Sequence, residues 1–160
     1  MRSKIGRTCF AGFLGSIVII CMVTFASPDL LGGPADIATV LASMLGGSWL
    51  AGMVMHFAVG TLALPALYLV LIERRLPGGP AVRGALWGIA LWTLSQVTIV
   101  PWTGGGFFSS ASGGFPAATN SLIGHLAYGL VLGVFAGAPN ERAFALRQEF
   151  EAEPPMRRAA

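Results

Sequence analysis

Charged residues fall in clusters along the chain and leave residues 8–28, 37–72 and 84–140 with no Asp, Glu, Lys or Arg. A helix that crosses a hydrocarbon core of about 30 Å needs about 20 apolar residues in succession. The three stretches therefore predict four spans, at about residues 9–27, 48–72, 84–102 and 118–137. Gly, Ser and Pro crowd residues 103–117 and split the longest stretch. Such a segment cannot satisfy its backbone polar groups in lipid and belongs at an interface. The fold class expected is an all-α membrane protein, four transmembrane helices in a bundle forming a single membrane domain over residues 1–160.

Two segments outside the spans also carry a pattern. Residues 34–45 read as a short helix with Pro34 at its first position, Asp36 in the first turn and Gly46 after its end. Ile37, Val40, Leu41, Met44 and Leu45 share one face, as suits an outer amphipathic helix on the membrane surface or packed over the bundle. The tail, residues 138–160, opens with Asn140 as a candidate cap and predicts a brief helix to about Glu151, stopped by Pro154 and Pro155.

Composition agrees with the pattern: of 160 residues, 54% are hydrophobic and 11% charged, against about 25% charged in soluble domains. The net charge of +3 comes from few basic residues placed beside apolar runs, which fits anionic lipid headgroups and argues against nucleic acid as a partner. Cys9 and Cys21 are 12 residues apart in one predicted helix, about 18 Å along its axis and beyond the reach of a disulfide.

All ten basic residues fall on one predicted side: Arg2, Lys4 and Arg7 before span one, Arg74, Arg75 and Arg83 between spans two and three, and four after span four. Cationic flanks are retained in the cytoplasm, so both termini are expected there. Trp49 and Trp102 then mark the outer interface. A cleavable leader ending near Thr24-Phe25-Ala26 is the competing reading of span one. Its apolar run is long for a leader, which favours retention.

An internal echo supports the same arrangement. His56-Phe57-Ala58-Val59-Gly60 and His125-Leu126-Ala127-Tyr128-Gly129 share the pattern H-x-A-x-G in spans that run in the same direction. Gly15 and Gly88 each stand 13 residues before a proline, Pro28 and Pro101. We read these as two parallel-repeat helical hairpins.

The polar residues inside the spans are the candidate site. His56 lies seven residues inside Trp49 and His125 seven inside residue 118, each about 10 Å below the outer interface. Gln96, six residues before Trp102, falls at about 9 Å and so in the same layer. The plainest use of this layer is hydrogen bonding across the bundle, worth about 0.6–2 kcal/mol. A sharper one is a cofactor-binding site formed by His56, His125 and Gln96, with the imidazoles as axial ligands to haem b or as partners of a quinone. A third is metal binding by His56, His125 and Met53. Met53-Val54-Met55-His56 offers thioether and imidazole to Cu(I), although Met53 and Met55 point to different helix faces.

Enzyme chemistry finds little support. The predicted spans contain no Asp or Glu, and Ser95 and Ser121 lack a nucleophile-elbow setting. Thr103-Gly104-Gly105-Gly106 has no following Lys and is no phosphate loop.

With Gly124-His125-Leu126-Ala127-Tyr128-Gly129-Leu130-Val131-Leu132-Gly133, His56 in its matching segment and Arg83-Gly84-x3-Gly88 opening span three, the chain resembles an uncharacterised family of small prokaryotic four-span membrane proteins. The likeness runs from about Ala11 to Gly137 and implies a fold without an activity. The expectation is a multi-pass protein of the bacterial inner membrane that is an accessory, assembly or interaction subunit. Phe107 and Phe108 in the outer loop, or the small-residue ridges Gly52-His56-Gly60 and Ser121-His125-Gly129-Gly133, would meet a larger membrane complex or a second copy.

Overall fold

A computed structural model describes residues 2–26, 36–73 and 75–137, and all regular structure among them is helical. The expected ends of span one at Ser27 and of the short helix at Pro34, and the tail helix, lie outside the described residues. Helix α1 is Arg2–Cys21 and continues as a π-turn over Met22–Ala26. Helix α2 is Ile37–Leu45, α3 Trp49–Ile72, α4 Pro80–Trp102 and α5 Gly114–Gly137. Four of these are long and apolar enough to cross a membrane. Large apolar side chains such as Val54, Leu62, Val70, Ile89 and Val134 are exposed on the bundle exterior, as a lipid solvent allows.

Two boundaries differ from those read in the sequence. Helix α4 starts at Pro80, four residues before the expected 84, because Gly79 and Pro80 form a proper helix start and Arg83 sits in the first turn. A cation at a span end can reach the headgroups and need not end the helix. Helix α5 starts at Gly114, also four residues early, where two successive glycines, Gly113 and Gly114, take positive φ.

Helix α5 is the centre of the bundle and packs on α1 and α4, while α1 packs on α3. The α4–α5 seam is closed by backbone contact. A Cβ on Gly129 would strike the carbonyl oxygen of Gly84, and one on Gly84 that of Gly129, so only glycine permits this approach. Gly12 on α1 meets the Gly60 carbonyl and Pro65 on α3 in the same manner. The buried cluster around these seams includes Tyr68, Trp87, Leu91, Tyr128 and Leu132.

Three π-turns stand two residues ahead of a proline in the chain: Met22–Ala26 before Pro28, Val59–Ala63 before Pro65 and Ser95–Ile99 before Pro101. In α3 and α4, where Pro65 and Pro101 lie inside the helix, the proline removes one N–H and crowds the preceding turn, and widening that turn relieves the crowding without ending the span.

Helix α2 is fixed at both ends. The Asp36 carboxylate accepts from the Thr39 amide at 3.1 Å and the Thr39 hydroxyl at 2.6 Å, and Gly46 closes the C-terminus in the left-handed region at φ 60°. Ala38 and Ala42 lie on Gly52 of α3, where a side chain would meet the Ala38 carbonyl.

Candidate functional site

Helices α3 and α4 meet near the end that carries Arg75 and Arg83, where the rings of Tyr68 and Trp87 are 6.3 Å apart. Toward the other end they stand apart and leave a partly open cavity of about 800 Å³. Ile37, Val40, Leu41 and Met44 of α2 form part of its wall, so the apolar face expected on this helix is turned to the cavity. His56, Gln96 and His125 all line it.

Each of the three reaches the cavity from its own helix. His56 Nε2 is 3.3 Å from the carbonyl oxygen of Ser16 on α1, and as the N–H member of that pair it leaves Nδ1 as an acceptor. His125 Nδ1 is 2.7 Å from the Ser121 carbonyl one turn back in α5. That contact fixes the proton on Nδ1 and leaves Nε2 with its lone pair. Gln96 lies in the π-turn of α4 and is fully buried. Its Oε1 accepts from the Ser109 hydroxyl at 3.1 Å, and its Nε2 has no partner.

The register of α4 against α5 alters the expected layer. Gly88 lies against the His125 carbonyl; Gln96, eight residues further along α4, is thus roughly 12 Å nearer the loop. His125 sits deeper than sequence spacing placed it because α5 begins at Gly114. Gln96 and His125 line one cavity from backbone positions that are not level.

Met53 does not line this cavity. It borders a shallow groove with Val54, Phe57 and Leu62 on another face of α3, while Met55 is the methionine beside His56 in the cavity wall. Among the described residues no three His, Cys, Asp or Glu side chains come together.

A model of one protein family matches residues 2–145. The chain belongs to this family, DUF6789, a family of unknown function. No curated protein and no solved structure matches it. Membership of DUF6789 brings no chemistry with it, so the cavity is the source of the functional argument.

Sequence reasoning missed two contributors, Tyr128 and Ser109. Tyr128 of the second H-x-A-x-G segment forms part of the cavity wall and donates its hydroxyl to the Gly60 carbonyl at 2.6 Å. Its position inside the repeated pattern was the available signal. Ser109 is placed over Gln96 by a 3-10 turn, Phe107–Ser109, in which Phe108 and Ser109 have φ of 50° and 60°. Left-handed backbone at non-glycine residues costs on the order of 1 kcal/mol each and persists where surrounding contacts hold it; no sequence signal marks it. Phe108 packs on Trp92 at 5.7 Å between ring centroids, which leaves Phe107 and Phe115 as the more exposed loop rings. Trp92 donates its indole N–H to the Ala118 carbonyl at 2.9 Å.

Proposed function

We propose that this protein binds a small uncharged amphipathic molecule of the quinone type within the membrane, between His56 and His125. The observation that carries the reading is that both histidines of the chain line one cavity of about 800 Å³. That volume lies within the usual range for small-molecule sites, and a mostly apolar wall with a few placed polar groups is their usual chemistry. No Asp, Glu, Lys or Arg lines the cavity. A phosphate or carboxylate would be buried there without a counter-charge, at a large cost; a ring with neutral oxygen substituents carries no such penalty.

The same observations rank the alternatives. Haem b would bring two propionates to a wall without cations, and His56 already uses Nε2 on Ser16. Copper binding through Met53 is disfavoured by the place of Met53 outside the cavity. A non-enzymatic subunit role is compatible with ligand binding, and Phe107 and Phe115 are its candidate contacts with a partner. We further place both termini on the cytoplasmic side of a bacterial inner membrane, since Lys4, Arg7, Arg75 and Arg83 gather at one end of the bundle. The two-hairpin repeat gains support from Gly60 and Gly129. Each is the close-contact glycine of its H-x-A-x-G segment, against Gly12 and Gly84 respectively.

The test is a titration of the nanodisc-embedded protein with a short-chain benzoquinone in oxidised and reduced forms. Gly124 lines the cavity and a Cβ there meets only Ile19, at 3.8 Å. Gly124→Leu therefore fills the space without striking backbone and should abolish binding in a folded protein. Failure of the wild type to bind either form overturns the proposal. A Soret band in the purified protein that is lost in His125→Ala would replace it with the haem reading.

A further inference from the structure

We propose that the ligand of this cavity carries a long apolar tail, which leaves through a gap between α3 and α4 and lies in the bilayer; this deepens the binding reading above and rests on it. The other seams around the cavity are closed at its level. Between α3 and α1, His56 Nε2 meets the Ser16 carbonyl at 3.3 Å. Between α5 and α1, a Cβ at Gly124 would lie 3.8 Å from the Ile19 side chain. Between α4 and α5, the Trp92 indole donates to the Ala118 carbonyl at 2.9 Å. Among the described residues, α3 and α4 pack on each other at Tyr68 and Trp87, toward the end that carries Arg75 and Arg83, and stand apart beside the cavity.

The rim of this gap is apolar and lies within the hydrocarbon. Leu94 and Thr98, one turn apart on α4, line the cavity and are exposed as well, as residues at a mouth are. Met55 and Val59 line it from α3. The Thr98 hydroxyl donates to the Leu94 carbonyl at 2.6 Å, so this side of the rim presents hydrocarbon. Leu94 stands eight residues and Thr98 four before Trp102, about 12 and 6 Å inside the outer end of the span. The outer end itself is covered. Helix α2 meets α3 at Gly52, three residues after Trp49 and so only about 5 Å inside, and its Val40 and Met44 line the cavity. The loop lines it with Gly105 and Ser109, which are held by the Val100 carbonyl at 2.8 Å and by Gln96 Oε1 at 3.1 Å.

The enclosed space limits what can be taken in whole. At about 30 Å³ for each heavy atom, the share of a water molecule in its liquid, a cavity of about 800 Å³ holds on the order of 25 heavy atoms. A substituted ring takes much of that room, and a long tail exceeds it. A tail that leaves through the gap stays among lipid chains, which are as apolar as the helices beside it, so it gives up no favourable surroundings when the head binds.

The experiment compares two ligands on the full chain in nanodiscs: a methyl-substituted benzoquinone, and the same ring with a long isoprenoid tail, with affinity expressed per mole fraction in the bilayer. Both should bind, with affinities within about threefold of each other. A long-tailed ligand that binds more than about tenfold more weakly marks a closed cavity; that result overturns the inference and leaves the binding site standing. Binding of neither ligand overturns the parent reading. The double variant Leu94→Trp, Thr98→Trp narrows the gap and should weaken the long-tailed ligand at least about tenfold more than the tailless one. Val54→Trp, on an exposed face of α3 outside the cavity, should not separate the two. An equal effect of the double variant on both ligands overturns the exit between α3 and α4. If the double variant fails to fold, Leu94→Trp alone is read in the same way.

Discussion

The hydroxyl of Tyr128 on α5 donates to the carbonyl oxygen of Gly60 on α3 at 2.6 Å. That carbonyl is available because of two local events in α3. In the π-turn the Leu64 N–H pairs with Val59, five residues back, so it no longer serves Gly60. The next residue in that register is Pro65, which has no N–H to offer. A carbonyl released inside lipid must find a donor, and Tyr128 supplies one from across the bundle. Gly12 and Ser16 of α1 pack against the same turn, so a proline in one helix helps position three.

Tyr128→Phe should therefore destabilise the bundle by about 1–2 kcal/mol, measured by reversible unfolding in mixed micelles. Pro65→Ala restores an N–H within reach of Gly60. In that background Tyr128→Phe should cost distinctly less, and an undiminished cost in the double variant would count against this account.

Gly129→Leu should disrupt the α4–α5 seam, with a loss of at least about 2 kcal/mol, because its Cβ meets the Gly84 backbone and a backbone yields little. Gly124→Ala in the same helix should be neutral or gain up to about 1 kcal/mol, since its Cβ meets only the Ile19 side chain, at an ordinary contact distance of 3.8 Å, and alanine favours the helix. Equal behaviour of the two variants would show that the seam is not glycine-dependent.

Gln96 separates two ways of removing a hydrogen bond. Ser109→Ala takes the one partner of Gln96 Oε1 and leaves the whole buried amide unsatisfied, at a cost of about 1–3 kcal/mol. Gln96→Leu removes the orphaned N–H together with the carbonyl and leaves one buried hydroxyl, that of Ser109, without its acceptor, so it should cost less than Ser109→Ala. Thermal unfolding of both variants checks the contrast, which fails if Gln96→Leu is the more damaging.

Docking of α2 should weaken in acid. The hydroxyl and amide of Thr39 hold the Asp36 carboxyl below its ordinary pKa, aided by the Trp49 indole, whose Nε1 is 3.1 Å from each carboxylate oxygen. With the docked state holding the lower pKa, the released state takes up the proton first as pH falls. The contribution is whole above about pH 4 and is lost as the pH drops through the docked-state value. Hydrogen exchange at the Thr39 amide follows the change, and Asp36→Asn should abolish its pH dependence. Asp36 is exposed, so the effect is small.

The spans were legible because lipid leaves few ways to arrange a backbone: long charge-free runs become helices, and Gly-rich runs between them become loops. The caps of α2 were legible for a similar reason, since Asp36 and Gly46 act through their own backbone within a few residues. Helix starts were less so. Excluding Arg83 from a span on grounds of charge moved α4 inward by four residues, although only the side chain and not the helix must reach water.

His56, Gln96 and His125 were identifiable as the polar residues of the spans, and the sequence by itself determined that much, together with four apolar helices and one loop of glycines and phenylalanines. Tertiary structure decided the rest. Which side chains share a cavity depends on helix rotation and register, set here by the contacts of Gly84 with Gly129 and of Gly12 with Gly60. Counting inward from a span end placed Gln96 level with His125. The backbone contact of Gly88 with His125 sets them roughly 12 Å apart along the helices. The proton positions that make both imidazoles acceptors follow from the carbonyls of Ser16 and Ser121, and only the folded bundle brings His56 to Ser16. Depth along one helix is a local quantity that sequence can estimate, whereas a shared site is a relation between helices, fixed by how closely their backbones approach.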